Sequence, residues 1–253
     1  MGRIIAIANQ KGGVAKTTTA VNLSACLVEL GKKVLLLDLD PQGNASSGSG
    51  IIKHQLKQSI YDVLINDVPM RNIIQTTDLH NLSIAPARIE LAGAEIELVN
   101  VEARESRLAK ALLAVKDDYD YIIIDCPPSL GLLTLNALTA STDVLIPVQC
   151  EYYALEGLTL LMDTLNRVKQ SLNPNLNIIG ALLTMFDART NLAIQVVDEV
   201  KKYFKNKVFA TIVPRNVRLG EAPSHGKPIV LYDERSRGAE VYRDLAKEVL
   251  ERV

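Results

Sequence analysis

Seven short apolar runs recur along this chain: 3–8 (RIIAIA), 34–39 (VLLLDL), 82–86 (LSIAP), 121–125 (YIIID), 143–148 (DVLIPV), 178–184 (IIGALLT) and 208–213 (VFATIV). Most stay apolar at successive positions instead of alternating with polar residues, the pattern of a strand covered on both faces, as in a parallel sheet. Helical periodicity fills the gaps, for example over 17–30, ending at Gly31, and over 193–205. Strand and helix alternating at this spacing require right-handed crossovers. They predict an α/β fold: a doubly wound, mostly parallel sheet with helices on both faces. No repeat, low-complexity tract or linker divides the chain, so residues 1–253 are expected to form a single domain. The stretch 43–80, rich in glycine, serine and polar residues, is expected to be a mobile loop followed by short helices.

Composition narrows the class further. With 48% hydrophobic and 23% charged residues among 253, the chain can close a full core. A net charge of −1 excludes a nucleic-acid binder that is basic over its whole surface but leaves room for a local basic patch. Cys26, Cys126 and Cys150 stand far apart with no C-x-x-C pair, which favours neither a disulfide framework nor a zinc site. No run approaches the ~18 apolar residues of a membrane span, and the N-terminus enters a strand without the blocks of a secretory signal. A cytoplasmic protein with no membrane partner is expected.

One stretch carries chemistry: NQKGGVAKTT, residues 9–18. The usual phosphate-loop pattern is G-x-x-x-x-G-K-[ST], and here its two glycine positions hold Gln10 and Ala15. The context is nevertheless that of a phosphate cradle, which needs a strand that ends, a turn of inward amides and a helix that begins at the anion. IIAIANQ supplies the strand. Gly12 and Gly13 supply a turn open to backbone angles barred to other residues. A helix then opens at Thr17 and Thr18, with Lys16 set to reach phosphates and Thr17 to reach magnesium. Two further apolar strands deliver carboxylates to the same end of the sheet: LLLDLDPQGN brings Asp38 and Asp40, and YIIIDCPP brings Asp125. Ligands of doubly wound folds bind at that end, and an aspartate such as Asp125 suits a water-mediated magnesium contact.

KGGVAKTT closely resembles the deviant phosphate loop KGGVGKTT, which carries an extra signature lysine. Together with LLLDLDPQGN, IIIDCPPSLG, PVQCEYYALEG and PRNVRLGEAPSHGKPI, it is similar over essentially the whole chain to the ParA-type partition ATPases, and most of all to the chromosomal Soj subgroup. That resemblance implies a phosphate-loop NTPase that takes ATP and Mg2+ and hydrolyses ATP slowly. It implies that Lys11, Gly12, Gly13, Val14, Ala15, Lys16, Thr17 and Thr18 surround the phosphates. Thr17 and Asp125 would serve the metal, Asp40 would orient the attacking water, and Asp38 would stand behind them. Pro214 and Asn216 fall where the family holds adenine. Lys11 matches the signature lysine, which reaches the partner subunit's nucleotide as an arginine finger does.

The same resemblance implies a homodimer when ATP is bound, non-specific binding to double-stranded DNA, and stimulation by a ParB-type centromere-binding protein in chromosome or plasmid segregation on the nucleoid. Candidate cations for DNA are Arg189, Arg215, Arg218 and the set Lys201, Lys202, Lys205 and Lys207, of which Arg189 and Arg218 fall at the family's positions. Pairing two weak patches in one dimer makes the second contact nearly intramolecular. Ala15 departs from the family: if a left-handed backbone is needed there, alanine costs roughly 1–2 kcal/mol, about a tenfold loss of affinity. The alternative is a MinD-type membrane switch, which shares the loop but needs a basic, apolar C-terminal amphipathic tail. AEVYRDLAKEVLERV has mixed charge and reads instead as a helix packed on the domain. Neither a second cysteine ligand for a shared iron–sulfur cluster nor a substrate constellation for a biosynthetic ligase is evident.

Overall fold

The structure, a computed structural model, describes residues 2–151 and 154–253, with only the backbone of residues 154–157. Tyr152 and Tyr153 of PVQCEYYALEG lie outside the described residues. Eight strands form one sheet: β1 (Arg3–Ile7), β2 (Val34–Asp38), β3 (Gln75–Thr76), β4 (Leu82–Ala85), β5 (Tyr121–Asp125), β6 (Asp143–Gln149), β7 (Asn177–Phe186) and β8 (Val208–Pro214). Their spatial order is β3-β4-β2-β5-β1-β6-β7-β8. Every neighbouring pair is parallel except β3 and β4. The chain thus winds from β1 first toward one edge and then toward the other, which leaves a crevice at the carboxyl ends beside β1.

The unbroken apolar runs have a direct structural reason. Ile4, Leu35, Leu37, Ile122, Ile124 and Ile146 point into one core. Their strand neighbours Ile5, Leu36, Ile123 and Leu145 point into the core on the opposite face. Each such side chain contributes roughly 1.5–3 kcal/mol on burial, so a polar residue on either face would be costly.

All seven expected strands are present. The eighth, β3, is two exposed residues long and antiparallel, too short to leave a periodic signal. The expected loop at 43 differs: a short helix, Asn44–Gly48, starts directly after Gly43, and Ala45, Ser46 and Gly48 are buried. Ser46 is the cause, because its amide and its hydroxyl both donate to Asp38 at 2.7 Å. The same hydroxyl accepts from the Ala87 amide at 3.0 Å. Short helices at Ile60–Ile65 and Met70–Ile73 follow, as expected.

Helix Lys16–Glu29 lies against the sheet and is closed by Gly31 (φ 78°), beyond which the Lys32 amide donates to Leu27 O at 3.1 Å. The final helix, Arg237–Arg252, packs on Lys16–Glu29 and on β8 and buries Val241, Tyr242, Leu245, Ala246 and Val249. Its apolar face is therefore covered. Among the described residues no helix is long and apolar enough to cross a membrane.

Candidate functional site

Residues 8–15 leave β1 and fold into a tight loop held from three sides. Asn9 Nδ2 donates to Pro147 O at 2.7 Å, while Asn9 Oδ1 accepts from the Lys11 amide at 3.0 Å. On the far side, Thr184 Oγ1 donates to Val14 O at 3.1 Å and Val14 is buried. The left-handed positions are Gly13 (φ 75°) and Ala15 (φ 66°, ψ 32°), not Gly12. The turn therefore reverses one residue later than the glycine pair suggests, and an alanine occupies a conformation that glycine adopts without strain.

Ala15 is also the cap of helix Lys16–Glu29, and no side chain caps that end. Its first-turn amides, with the helix dipole behind them, are left for an anion. Lys16 is buried and its Nζ donates to Lys11 O at 3.0 Å, closing the loop over the ammonium. Burial lowers its pKa, while Asp125, Cys126 and Asp40 pull it back up. Thr17 and Thr18 sit half-buried in the same turn.

The carboxylates behave differently from one another. Register sets Asp125 between Ile7 of β1 and Asp38 of β2. Asp125 is fully buried, and neither of its oxygens has a hydrogen-bond partner. Burial raises its pKa first, then the neighbouring Asp38 carboxylate, against the opposing charge of Lys16. A buried carboxylate with both oxygens unpaired is costly unless a cation or its waters complete it. This geometry fits a magnesium ion. Among the described residues no group of three or more His, Cys, Asp or Glu could hold a metal without help. Phosphate oxygens and water would therefore supply the remaining ligands, as is usual for magnesium.

Asp38 is already saturated by Ser46 and by the Asp40 amide at 3.2 Å, and burial still pushes its pKa up to about 6. Asp40 closes the next turn, its Oδ1 accepting from the Gln42 amide at 2.9 Å.

Beside the loop lies a cavity of about 190 Å³ lined by Ala15, Thr18, Pro214, Asn216, Leu219 and Tyr242, among others. It brings Pro214 and Asn216 next to the loop. Asn216 Oδ1 caps the short helix Val217–Glu221, accepting from Arg218 N at 2.8 Å and Leu219 N at 3.4 Å, which leaves its amide NH2 to donate. Tyr242, from the last helix, pairs with Thr19 Oγ1 at 3.2 Å. Sequence reasoning missed Tyr242, for which an apolar-stripe position gave no signal. It also missed Glu151, which was legible only as part of PVQCEYYALEG.

Glu151 gathers two of the basic residues. Lys11 Nζ lies 4.0 Å from its Oε2, and the Arg215 guanidinium 3.4 Å from its Oε1. Arg189 and Arg218 follow the carboxyl ends of adjacent strands, where Phe186 of β7 is in register with Pro214 of β8. Both are exposed, and both are held by carboxylates. Arg189 pairs with Asp187 at 2.6 Å; Arg218 pairs with Glu221 at 3.0 Å and Asp233 at 3.5 Å. Lys201, Lys202, Lys205 and Lys207 do not join them: helix Asn191–Phe204 runs back from that edge, so the lysines precede β8 at the amino end of the sheet.

A strand, a phosphate-type loop, an uncapped helix and an unpartnered carboxylate on the neighbouring strand define a phosphate-loop nucleotide-binding domain, and residues 2–178 match the family described as AAA domain. The chain is 68% identical over 249 residues to the sporulation initiation inhibitor protein Soj of Bacillus subtilis, covering 98% of each. It is 58% identical to the chromosome partitioning protein ParA of Myxococcus xanthus, covering all of this chain and 89% of the relative. A solved Mycobacterium smegmatis structure, described as cobyrinic acid a,c-diamide synthase with bound ATP analogue and magnesium, superposes with a TM-score of 0.88 at 41% identity. That match covers 99% of this chain and 95% of the other. The chain belongs to the ParA/Soj family of chromosome-partitioning ATPases.

Proposed function

We propose that residues 1–253 act as one ATP-gated unit whose dimer, bridged by two nucleotides, binds double-stranded DNA without sequence preference. Lys16 and the amides of Gly12 to Thr18 take the phosphates, with Pro214 and Asn216 against the adenine. Thr17 and Asp125 would hold Mg2+, which when bound neutralises charge on the phosphates. Asp40 orients the attacking water at the carboxyl end of β2.

The observation that carries this reading is the division of labour between the two lysines. Lys16 is buried and turned into its own loop, whereas the Lys11 ammonium lies at the surface on Glu151, where a second subunit can receive it. A triphosphate between two subunits is a dense negative charge, and a lysine from each side both binds it and reports its presence. Turnover resets the switch. It is slow in the isolated protein and is stimulated by a ParB-type centromere-binding partner.

DNA contacts fall to Arg189 and Arg218, and doubling that patch in the dimer turns weak contacts into binding. The protein then resides on the nucleoid in the cytoplasm. A MinD-type membrane reading is disfavoured because the apolar face of Arg237–Arg252 is buried on the domain.

Light scattering in magnesium and a non-hydrolysable ATP analogue tests the proposal. Wild type is expected to run as a dimer, and Lys11→Ala as a monomer that still binds nucleotide. A wild type that stays monomeric at saturation, or a Lys11→Ala protein that pairs normally, overturns it.

A further inference from the structure

The turn that carries Asp40 is shaped from within and tied down from outside by a lysine. The Asp40 amide donates to Asp38 Oδ1 at 3.2 Å, and Asp40 Oδ1 accepts from the Gln42 amide at 2.9 Å. The Gly43 amide donates to Asp40 O at 2.8 Å and closes the turn. These bonds are internal to residues 38–43, so they shape the turn without fixing its crest, Pro41 and Gln42, to the rest of the domain. Lys53 does that: from eleven residues further on, its Nζ donates to Gln42 O at 2.7 Å. Among the described residues no other group donates to that carbonyl.

The surroundings of Lys53 are built for this contact. Its stem lies across Gly43, where a Cβ would come within 2.7 Å of Lys53 Cδ and 3.0 Å of Ala87 O. Glycine at 43 therefore serves both the left-handed turn (φ 62°) and this close approach. The lysine backbone is pinned in turn, since the Leu56 amide donates to Lys53 O at 3.3 Å and Arg88 Nη1 donates to Leu56 O at 2.9 Å. Arg88 follows Ala87, whose amide donates to the Ser46 hydroxyl that holds Asp38. The latch and the end of β2 are thus fastened to one short segment, residues 87–88. On the outer side the crest has no protein behind it: a cavity of about 380 Å³ borders Pro41, Gln42, Lys53 and Arg88, among others. A turn beside open space can shift once its tie is cut, whereas one packed on all sides cannot.

We propose that Lys53 is a positioning residue for ATP hydrolysis, holding the crest of the turn so that the Asp40 carboxylate keeps the place from which it orients the attacking water. The proposal rests on the role given to Asp40 above and adds the group that fixes it. An ammonium suits the task, because a charged donor binds a carbonyl more strongly than a neutral one. Its two remaining N–H groups stay with water in the cavity, so the charge is not stranded. Small displacements of a positioned group lower the rate of a reaction far more than they lower binding. The phosphates are held elsewhere, by the loop before Thr17 and by Lys16, so nucleotide affinity does not depend on the latch.

The test is single-turnover hydrolysis of labelled ATP in magnesium by the full chain, with protein in excess. Lys53→Met keeps the apolar stem on Gly43 and removes the donor. It is expected to hydrolyse about three- to tenfold more slowly, as the loss of one charged hydrogen bond predicts. Its Kd for a fluorescent ATP analogue and its pairing in a non-hydrolysable analogue should match wild type, a split that a merely structural role would not produce. Lys53→Arg, which can still donate, should recover most of the rate, and Lys57→Met, at an exposed neighbour, should leave it unchanged. Thermal unfolding checks that each variant is folded. The proposal is overturned if Lys53→Met hydrolyses like wild type, if Lys53→Arg is as slow as Lys53→Met, or if nucleotide affinity falls along with the rate. Asp40→Asn is measured alongside. Should it hydrolyse normally, the role of Asp40 fails and the latch with it; an inactive Asp40→Asn beside a fast Lys53→Met removes the latch alone.

Discussion

Replacing Ala15 by glycine separates strain stored in the fold from strain felt by the ligand. Ala15 holds φ 66° and ψ 32° in the loop, a left-handed conformation that costs an L-residue roughly 1–2 kcal/mol. Glycine removes that cost but gains freedom in the unfolded chain, which returns roughly 0.5–1 kcal/mol of it. The net gain is about 0.5–1 kcal/mol, a rise in Tm of roughly 1–4 °C for a chain of this size. The Ala15 angle belongs to a loop tied by the protein's own bonds, Asn9 to Pro147, Thr184 to Val14 and Lys16 to Lys11, so the strain is expected with and without nucleotide and cancels in the binding equilibrium. The tenfold weakening expected from sequence therefore moves from affinity to stability. Differential scanning calorimetry and titration with a fluorescent ATP analogue should show a higher Tm for Ala15→Gly and a Kd within about threefold of wild type. An unchanged Tm with a tenfold tighter Kd would refute the reasoning, since the alanine would then be strained only in the complex.

Three further outcomes are expected. Burial holds the Asp38 carboxyl at about 6 against an ordinary 3.8, so the native state binds that proton more tightly. In magnesium-free buffer its contribution to stability should fall by on the order of 3 kcal/mol as pH rises from about 4 to about 6.5. Urea unfolding of wild type and Asp38→Asn across that range should differ by this slope, and parallel curves would contradict it. Burial likewise raises Cys26 to about 12 and Cys150 to about 11, and lifts Cys126 as well. Ellman's reagent at pH 8 should therefore find no reactive thiol in the native protein and all three after unfolding; a native thiol that reacts within seconds would show the opposite. Asp187→Asn should release Arg189 from its paired carboxylate and raise DNA affinity about two- to fivefold at low salt, within the range of exposed ion pairs. A retardation assay showing weaker binding would remove Arg189 from the patch.

Much of the site is legible in linear order because its parts are local. A lysine after a turn, a threonine beside it and a carboxylate at the end of an apolar run lie within a few residues of one another in each motif. Asp38 shows the limit. Its sequence position is equivalent to that of Asp125, both ending buried strands, yet Ser46 saturates one while the other keeps two unpaired oxygens. That difference depends on how residues 44–48 fold back, and the polar composition of this stretch resembles a loop. The cavity beside Ala15 is similarly assembled from segments some 200 residues apart, so Tyr242 reads locally as one more apolar position on a helix.

By itself the sequence determined the class of fold and the chemistry at the ends of three strands. Burial on both faces demands unbroken apolar runs, and phosphate binding demands a short contiguous motif. Only the tertiary structure decided which carboxylate is left open and which backbone angle Ala15 must bear. It also decided where Lys11, Arg189 and Arg218 find their counter-charges, and that Lys53 closes on the Gln42 carbonyl. These depend on through-space neighbours, which spacing along the chain does not encode.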